Sequence, residues 1–130
     1  MSSFLHKSLA RYRALTPTFH KITKLVRPRI SSVRSNDHVA FRTFKKNGGF
    51  HHLKTILTSD GYVGRDYYEF PSKNLRAQWF SIRERDDTLP QRIFVSELQD
   101  NELSGASQGI IAKYVDCKDA SEIPYQDYLH

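Results

Sequence analysis

The sequence predicts an α+β fold: one β-α-β-β-β module, preceded by a helical arm and followed by a short C-terminal helix and tail. Three observations predict it. Apolar residues at helical spacing stop before Pro28, and strand-like alternation begins at residue 36. One helical pattern, at 49–58, separates that first strand from three later ones. The charge also changes character along the chain, which divides it into a basic helical arm (1–35), a half-barrel module (36–98) and a C-terminal helix with an acidic tail (99–130).

The arm comes first. Leu5, Leu9, Tyr12 and Leu15 share one face of a helix over 3–15, with Ser2 or Ser3 as cap and Thr16-Pro17 as stop. Phe19, Ile22, Leu25 and Val26 make the apolar stripe of a second helix over 18–26, ended by Pro28. Residues 27–32 form a basic linker into the first strand, residues 36–44. Side chains alternate along a strand, so His38, Ala40, Arg42 and Phe44 share one face and Val39, Phe41 and Thr43 the other. A face carrying His and Arg beside Ala and Phe suits either the wall of a pocket or a solvated edge.

Asn47 is the candidate cap of a third helix over 49–58, which turns Phe50, Leu53, Ile56 and Leu57 inward and ends at Asp60-Gly61. Gly48-Gly49 lacks the lysine and spacing of a phosphate-binding loop. His51 and His52 point about 100° apart on that helix and do not converge on one metal. Strands follow at 62–69, 75–83 and 91–98, with a charged hairpin loop at 84–90 between the last two. Both faces of 75–83 are partly apolar, so this strand is expected to be central and covered on both sides. Ser104 or Ser107 caps a last helix with Ile110, Ile111, Tyr114 and Val115 on its apolar side.

Composition narrows the partners. The chain has 130 residues and a net charge of +6. The first 36 residues hold eight Lys and Arg and no acid, while the rest carries 12 basic against 14 acidic residues. An acid-free basic end faces an anionic partner, and anionic lipid at the arm 1–35 is one candidate. An Arg-rich, Ser-containing, acid-free start also has the composition of a mitochondrial transit segment, read here as retained structure that doubles as an address. Cys117 is the single cysteine, which excludes an intrachain disulfide and a multi-cysteine zinc cluster. Nucleic acid ranks third as a partner, because Tyr62, Tyr67, Tyr68, Phe70, Trp79 and Phe80 are expected inside strands rather than on a basic platform.

Three stretches carry a resemblance. They are Asn36-Asp37-His38-Val39-Ala40-Phe41-Arg42-Thr43-Phe44, then residues 68–77 (Tyr-Glu-Phe-Pro-Ser-Lys-Asn-Leu-Arg-Ala), then residues 89–98 (Leu-Pro-Gln-Arg-Ile-Phe-Val-Ser-Glu-Leu). In that order they resemble the 2-oxoadipate dioxygenase/decarboxylase family, also called hydroxyglutarate synthase. The β-α-β-β-β order independently matches one vicinal-oxygen-chelate module. The resemblance implies a non-haem Fe(II) enzyme, with His38 as the first metal ligand and Arg42 as a clamp for the 2-oxo acid carboxylate. Such a site needs two histidines and one carboxylate. In the family the second His and the Glu come from the other half of a longer chain, so His38 is expected to be vestigial.

Within this chain Glu97 and Glu69 are the carboxylates to weigh. If the last strand lines the same cavity, Glu97 faces His38, and a symmetric dimer supplies two His38 and two Glu97 side chains. The reading drawn from the sequence is a non-catalytic accessory subunit without cofactor, held by other protein subunits of a mitochondrial assembly. A respiratory-chain or ATP synthase complex comes first and a mitochondrial ribosome third. The alternative is an Fe(II)-dependent 2-oxoadipate-type dioxygenase/decarboxylase, active as a dimer or with a second half, for which a cytoplasmic location is also open.

Overall fold

The computed structural model describes residues 4–26, 38–84 and 89–115. The linker at 27–37, residues 85–88 of the expected hairpin loop, and the acidic tail from Asp116 lie outside the described residues. The elements are α1 (Phe4–Leu15), α2 (Pro17–Val26), β1 (His38–Phe44), α3 (Gly49–Ser59), β2 (Tyr62–Phe70), β3 (Leu75–Ile82), β4 (Arg92–Leu98) and α4 (Gly105–Tyr114). The fold is α+β, as the sequence predicts.

The four strands form one mixed sheet in the order β1-β4-β3-β2. β1 and β4 run parallel, and β4-β3 and β3-β2 antiparallel. Parallel neighbours need a crossover, and α3 with the β2-β3 hairpin supplies it. The register pairs His38 with Arg92 and Phe44 with Leu98. It therefore sorts the side chains of all four strands onto two faces.

One face is packed. Val39 and Phe41 of β1, Ile93 and Val95 of β4, Phe80 and Ile82 of β3 and Tyr62 of β2 meet Leu53, Ile56 and Leu57 of α3. Phe4 and Leu5 of α1 join the same core, and the Phe4 ring lies 5.7 Å from that of Phe41. Complete burial of side chains such as Leu57, Phe80 and Ile93 contributes roughly 1.5–3 kcal/mol each. The Tyr62 hydroxyl donates to the Pro90 carbonyl at 2.6 Å, fastening the start of β2 to the segment entering β4.

Several local details differ from expectation. Gly48, at φ 64°, is the residue preceding α3, and the Asn47 side chain instead accepts from the Gly49 N–H at 3.2 Å. The chain turns through Lys45–Asn47 as a short 3-10 helix, which moves Asn47 one position out of the cap. Gly61 does take the left-handed conformation, at φ 89°. Ser104, rather than Ser107, caps α4 by accepting the Ser107 N–H at 3.3 Å. The apolar side of α4 is not buried: Ile110 and Tyr114 are exposed. On α1, Leu5 and Leu9 are buried while Tyr12 and Leu15 are exposed. The strand aromatics divide too, with Tyr62 and Phe80 inside and Tyr67, Tyr68 and Phe70 exposed. β3 is central, but only one of its faces is covered by helices.

Asp60, directly after α3, carries the one charge near this core with a raised carboxyl pKa among the described residues. Burial pushes it above 3.8, and the nearby His6 of α1 pulls it partly back. One of its oxygens is buried without a hydrogen-bond partner. A folded pKa above the unfolded one gives stability that is fully present below pH 3.8 and lost as pH rises through the folded value. Asp60→Asn should remove that loss. In urea titrations across the acidic range, the wild-type midpoint should fall relative to the variant's as pH rises past 3.8.

Candidate functional site on the open sheet face

Among the described residues, no helix packs over the other face of the sheet. Alternation and register place His38, Ala40 and Arg42 of β1 there, with Arg92, Phe94 and Ser96 of β4. Ala77 and Trp79 of β3 and Tyr68 and Phe70 of β2 complete it. A cavity of about 560 Å³ opens on this face. Its walls are mostly aromatic, from Tyr68, Phe70, Trp79 and Phe94, and the Tyr68 and Phe70 rings stack at 6.4 Å. His38 and Arg92, direct register partners, stand together at one side.

A bulge in β2 shapes the far side. The pairing with β3 shifts between Gly64 and Tyr67, so that Arg65 and Asp66 both come opposite Trp79. Trp79 Nε1–H donates to Asp66 Oδ2 at 3.1 Å, and Arg65 Nε–H donates to the Ser81 hydroxyl at 2.9 Å. On the packed side, the Gln78 amide donates to the Arg65 carbonyl at 2.8 Å and props the bulge. Gly64 permits that approach, because a Cβ there would lie 2.8 Å from the Gln78 amide nitrogen. Asp66 is the one acid among the described residues lining the cavity, and the indole N–H engages it. The face thus combines a cationic side with flat apolar walls, which suits a small organic anion.

The structure brings His38 and Arg42 to the same face, two pleats apart, as the alternation in β1 predicts. Arg42 is exposed beside Ser96, further along the strand than the cavity lining. Glu97 lies elsewhere. It pairs with Thr43 and Arg76 and so points to the side opposite His38. There it accepts from the Gln99 amide at 3.0 Å. Glu69 shares that side and pairs with Arg76 at 3.4 Å. Both acids, with Arg76, surround the Tyr67 hydroxyl. Burial raises its pKa first, Arg76 lowers it, and Glu69 and Glu97 raise it further. His51 is exposed on α3 and His52 half-buried.

Arg92, Asp66, Trp79 and Phe94 were not singled out as site residues from the sequence. A signal existed for two of them. Ile93 and Val95 mark the core face of β4, which sends Arg92 and Phe94 to the other. The same reasoning sends Glu97 inward with Ile93 and Val95.

The described residues do not by themselves gather the donors of an iron site. A facial-triad iron needs two histidines and a carboxylate. Among the described residues no group of three His, Cys, Asp or Glu side chains could hold a metal. His38 by itself does not fit an iron ion.

Sheet order, crossover and open face are those of one β-α-β-β-β module. The comparisons name its lineage. Residues 4–123 match the model of the HGLS family, 2-oxoadipate dioxygenase/decarboxylase, and the chain belongs to that family. It is 43% identical over 113 residues to the chloroplastic/amyloplastic 2-oxoadipate dioxygenase/decarboxylase of Oryza sativa subsp. japonica, covering 80% of this chain and 31% of the relative. It is 34% identical over 115 residues to the chloroplastic enzyme of Arabidopsis thaliana, covering 81% of this chain and 31% of that one. The crystal structure of the Oryza sativa hydroxyglutarate synthase in complex with 2-oxoadipate superposes with a TM-score of 0.74 at 39% identity, over 85% of this chain and 38% of that one. The chain therefore spans about a third of the length of the curated relatives it matches.

Trp79 is the single tryptophan, so its fluorescence reports on the cavity alone. Asp66→Asn keeps an acceptor for the indole N–H and removes the negative charge. Quenching by iodide should become steeper, since the anion is no longer repelled, while quenching by neutral acrylamide should stay as it was.

Proposed function

We propose that this chain is the first module of an Fe(II)-dependent 2-oxo acid dioxygenase/decarboxylase of the 2-oxoadipate class. It works with a second module, joined to it or separate, that contributes the remaining metal donors. The observation that carries the reading is the placement of the family-matching strand β1: His38 and Arg42 stand on the open face, beside an aromatic-walled cavity of about 560 Å³. In this reading His38 is one metal donor, and Arg42 holds a substrate carboxylate through paired N–H donors. The walls exclude water from the apolar body of the acid, and Asp66 orients Trp79. No reaction step is assigned to this chain by itself, because its described residues supply one donor of the three required.

Titration of the full chain with 2-oxoadipate should change Trp79 fluorescence saturably. Arg42→Gln should weaken that response by about tenfold, the loss expected for a charge-assisted contact. A flat wild-type titration would sink the proposal.

A second reading, a non-catalytic subunit of a larger mitochondrial assembly, draws on the incomplete donor set and the acid-free arm. The composition of the arm suits plastid as well as mitochondrial import, and the plant relatives are named as plastid proteins. Native purification separates the two. The catalytic reading expects stoichiometric iron in a particle that contains a second module. The accessory reading expects a large co-migrating complex without it.

A further inference from the structure

We propose that α2 seats the protein on an anionic membrane surface, independently of any catalytic role. No residue of α2 is buried. Its apolar residues nevertheless form a clean stripe. At about 100° per residue, Phe19, Ile22, Leu25 and Val26 fall within an arc of roughly 120°, and Lys21 and Lys24 lie outside it. Two aliphatic members stand open to solvent, Ile22 at 56% and Leu25 at 66% exposed, while Val26 is half-buried; Leu15, at the end of α1, is 70% exposed. A one-sided surface helix normally spends such a stripe on a core. Here the core takes Phe4, Leu5 and Leu9 of α1 and nothing of α2.

The mount is firm. The Phe19 N–H donates to the Thr16 carbonyl at 2.9 Å across a one-residue joint. The Phe19 ring meets Tyr12 edge-on at 5.8 Å, and the Arg13 guanidinium lies 5.7 Å from its centre. The helix is therefore held to α1 through Phe19, while Ile22 and Leu25 of its stripe are left uncovered.

Charge complementarity selects the occupant. Eight Lys and Arg and no acid occupy the first 36 residues, so the arm attracts a negative surface and has nothing to repel it. Aliphatic residues on one side with lysines on the other are what a helix needs to lie in a bilayer interface, where long basic stems reach back to the headgroups. No helix of the described residues is long and apolar enough to cross a membrane, so the contact is a surface one at this site.

The test uses the full chain and co-sedimentation with vesicles of phosphatidylcholine, with and without phosphatidylserine. Binding is expected only with phosphatidylserine and should weaken as salt is added. The double substitution Ile22→Ser with Leu25→Ser should lower the bound fraction by about tenfold or more. Lys21→Gln with Lys24→Gln should weaken binding to anionic vesicles without changing the urea midpoint, since neither lysine touches the core. Failure of the wild type to sediment with anionic vesicles would overturn the proposal, as would equal binding by the serine variant. Self-association in ultracentrifugation that the serine pair abolishes, with no vesicle binding, would also overturn it, in favour of a second copy on the stripe.

Discussion

The parallel pairing of β1 with β4 is the constraint on which the rest of the structure depends. It joins residues 38–44 to residues 92–98, the first and last strands of the module. A parallel pair cannot be closed by a tight turn, so everything between the two strands must leave the sheet and return. α3 and the β2-β3 hairpin are that path. The pairing is held at its far end by side chains as well as backbone. Thr43 donates to the Ser96 carbonyl at 3.0 Å, and the Lys46 N–H donates to the buried Asp100 carboxylate at 3.0 Å. The same register makes His38 and Arg92 neighbours. A slip by one residue would exchange the two faces of β4, placing Ile93 and Val95 in the open and Glu97 beside Arg42. The core and the site are thus set by one register.

From that register follows the asymmetry of the molecule. α3 and α1 cover one side of the sheet, and no described element covers the other. An antiparallel or mixed sheet tolerates this if the open side is polar. Here it carries Tyr68, Phe70, Trp79 and Phe94. Their presence opposes the hydrophobic effect in the module taken alone, and an apolar cavity in such a place is ordinarily kept for a ligand or for another polypeptide surface. The β2 bulge strengthens that view. It interrupts the β2-β3 pairing, aims Arg65 and Asp66 at the open face, and is propped by Gln78 over Gly64. Bulges of this kind re-aim side chains where a site needs them.

Much of this was legible in the sequence, for identifiable reasons. Alternation within β1 separates His38 and Arg42 from Val39 and Phe41, because period two is a local property of extended chain. The i, i+3, i+6, i+7 spacing of Phe50, Leu53, Ile56 and Leu57 likewise fixes the inner face of α3. What stayed hidden depends on relations between strands. The bulge shows locally only as Gly64. The open side of β3 could not be read from β3 itself, since Trp79 and Phe80 are both apolar and only the helix above Phe80 tells them apart. The face of Glu97 was available from the parity of Ile93 and Val95. Its place at the end of a motif drew attention to the chemistry of a carboxylate and away from its side of the strand. The stripe of α2 reads correctly as amphipathic, yet amphipathicity does not say whether a core or something else receives it.

The open face bears on the proposed catalytic reading. With α3 and α1 packed on one side, the sheet offers side chains to a ligand from its other side. His38, the metal donor proposed above, sits on an edge strand, since β1 ends the sheet order. A ligand set converging on a central ion must approach from more than one direction, and the packed face cannot contribute without breaking the core. On the proposed catalytic reading, the remaining donors face the open side across the cavity. Glu69 and Glu97 are poorly placed to serve: both lie through the sheet from His38, where Arg76 pairs with Glu69 and the Gln99 amide donates to Glu97. On that reading, a second surface carrying a histidine and a carboxylate would complete the donor set and cover the exposed aromatics in the same act. On the proposed catalytic reading, a module spanning about a third of its relatives' length packs its own core and depends on a second surface for its metal.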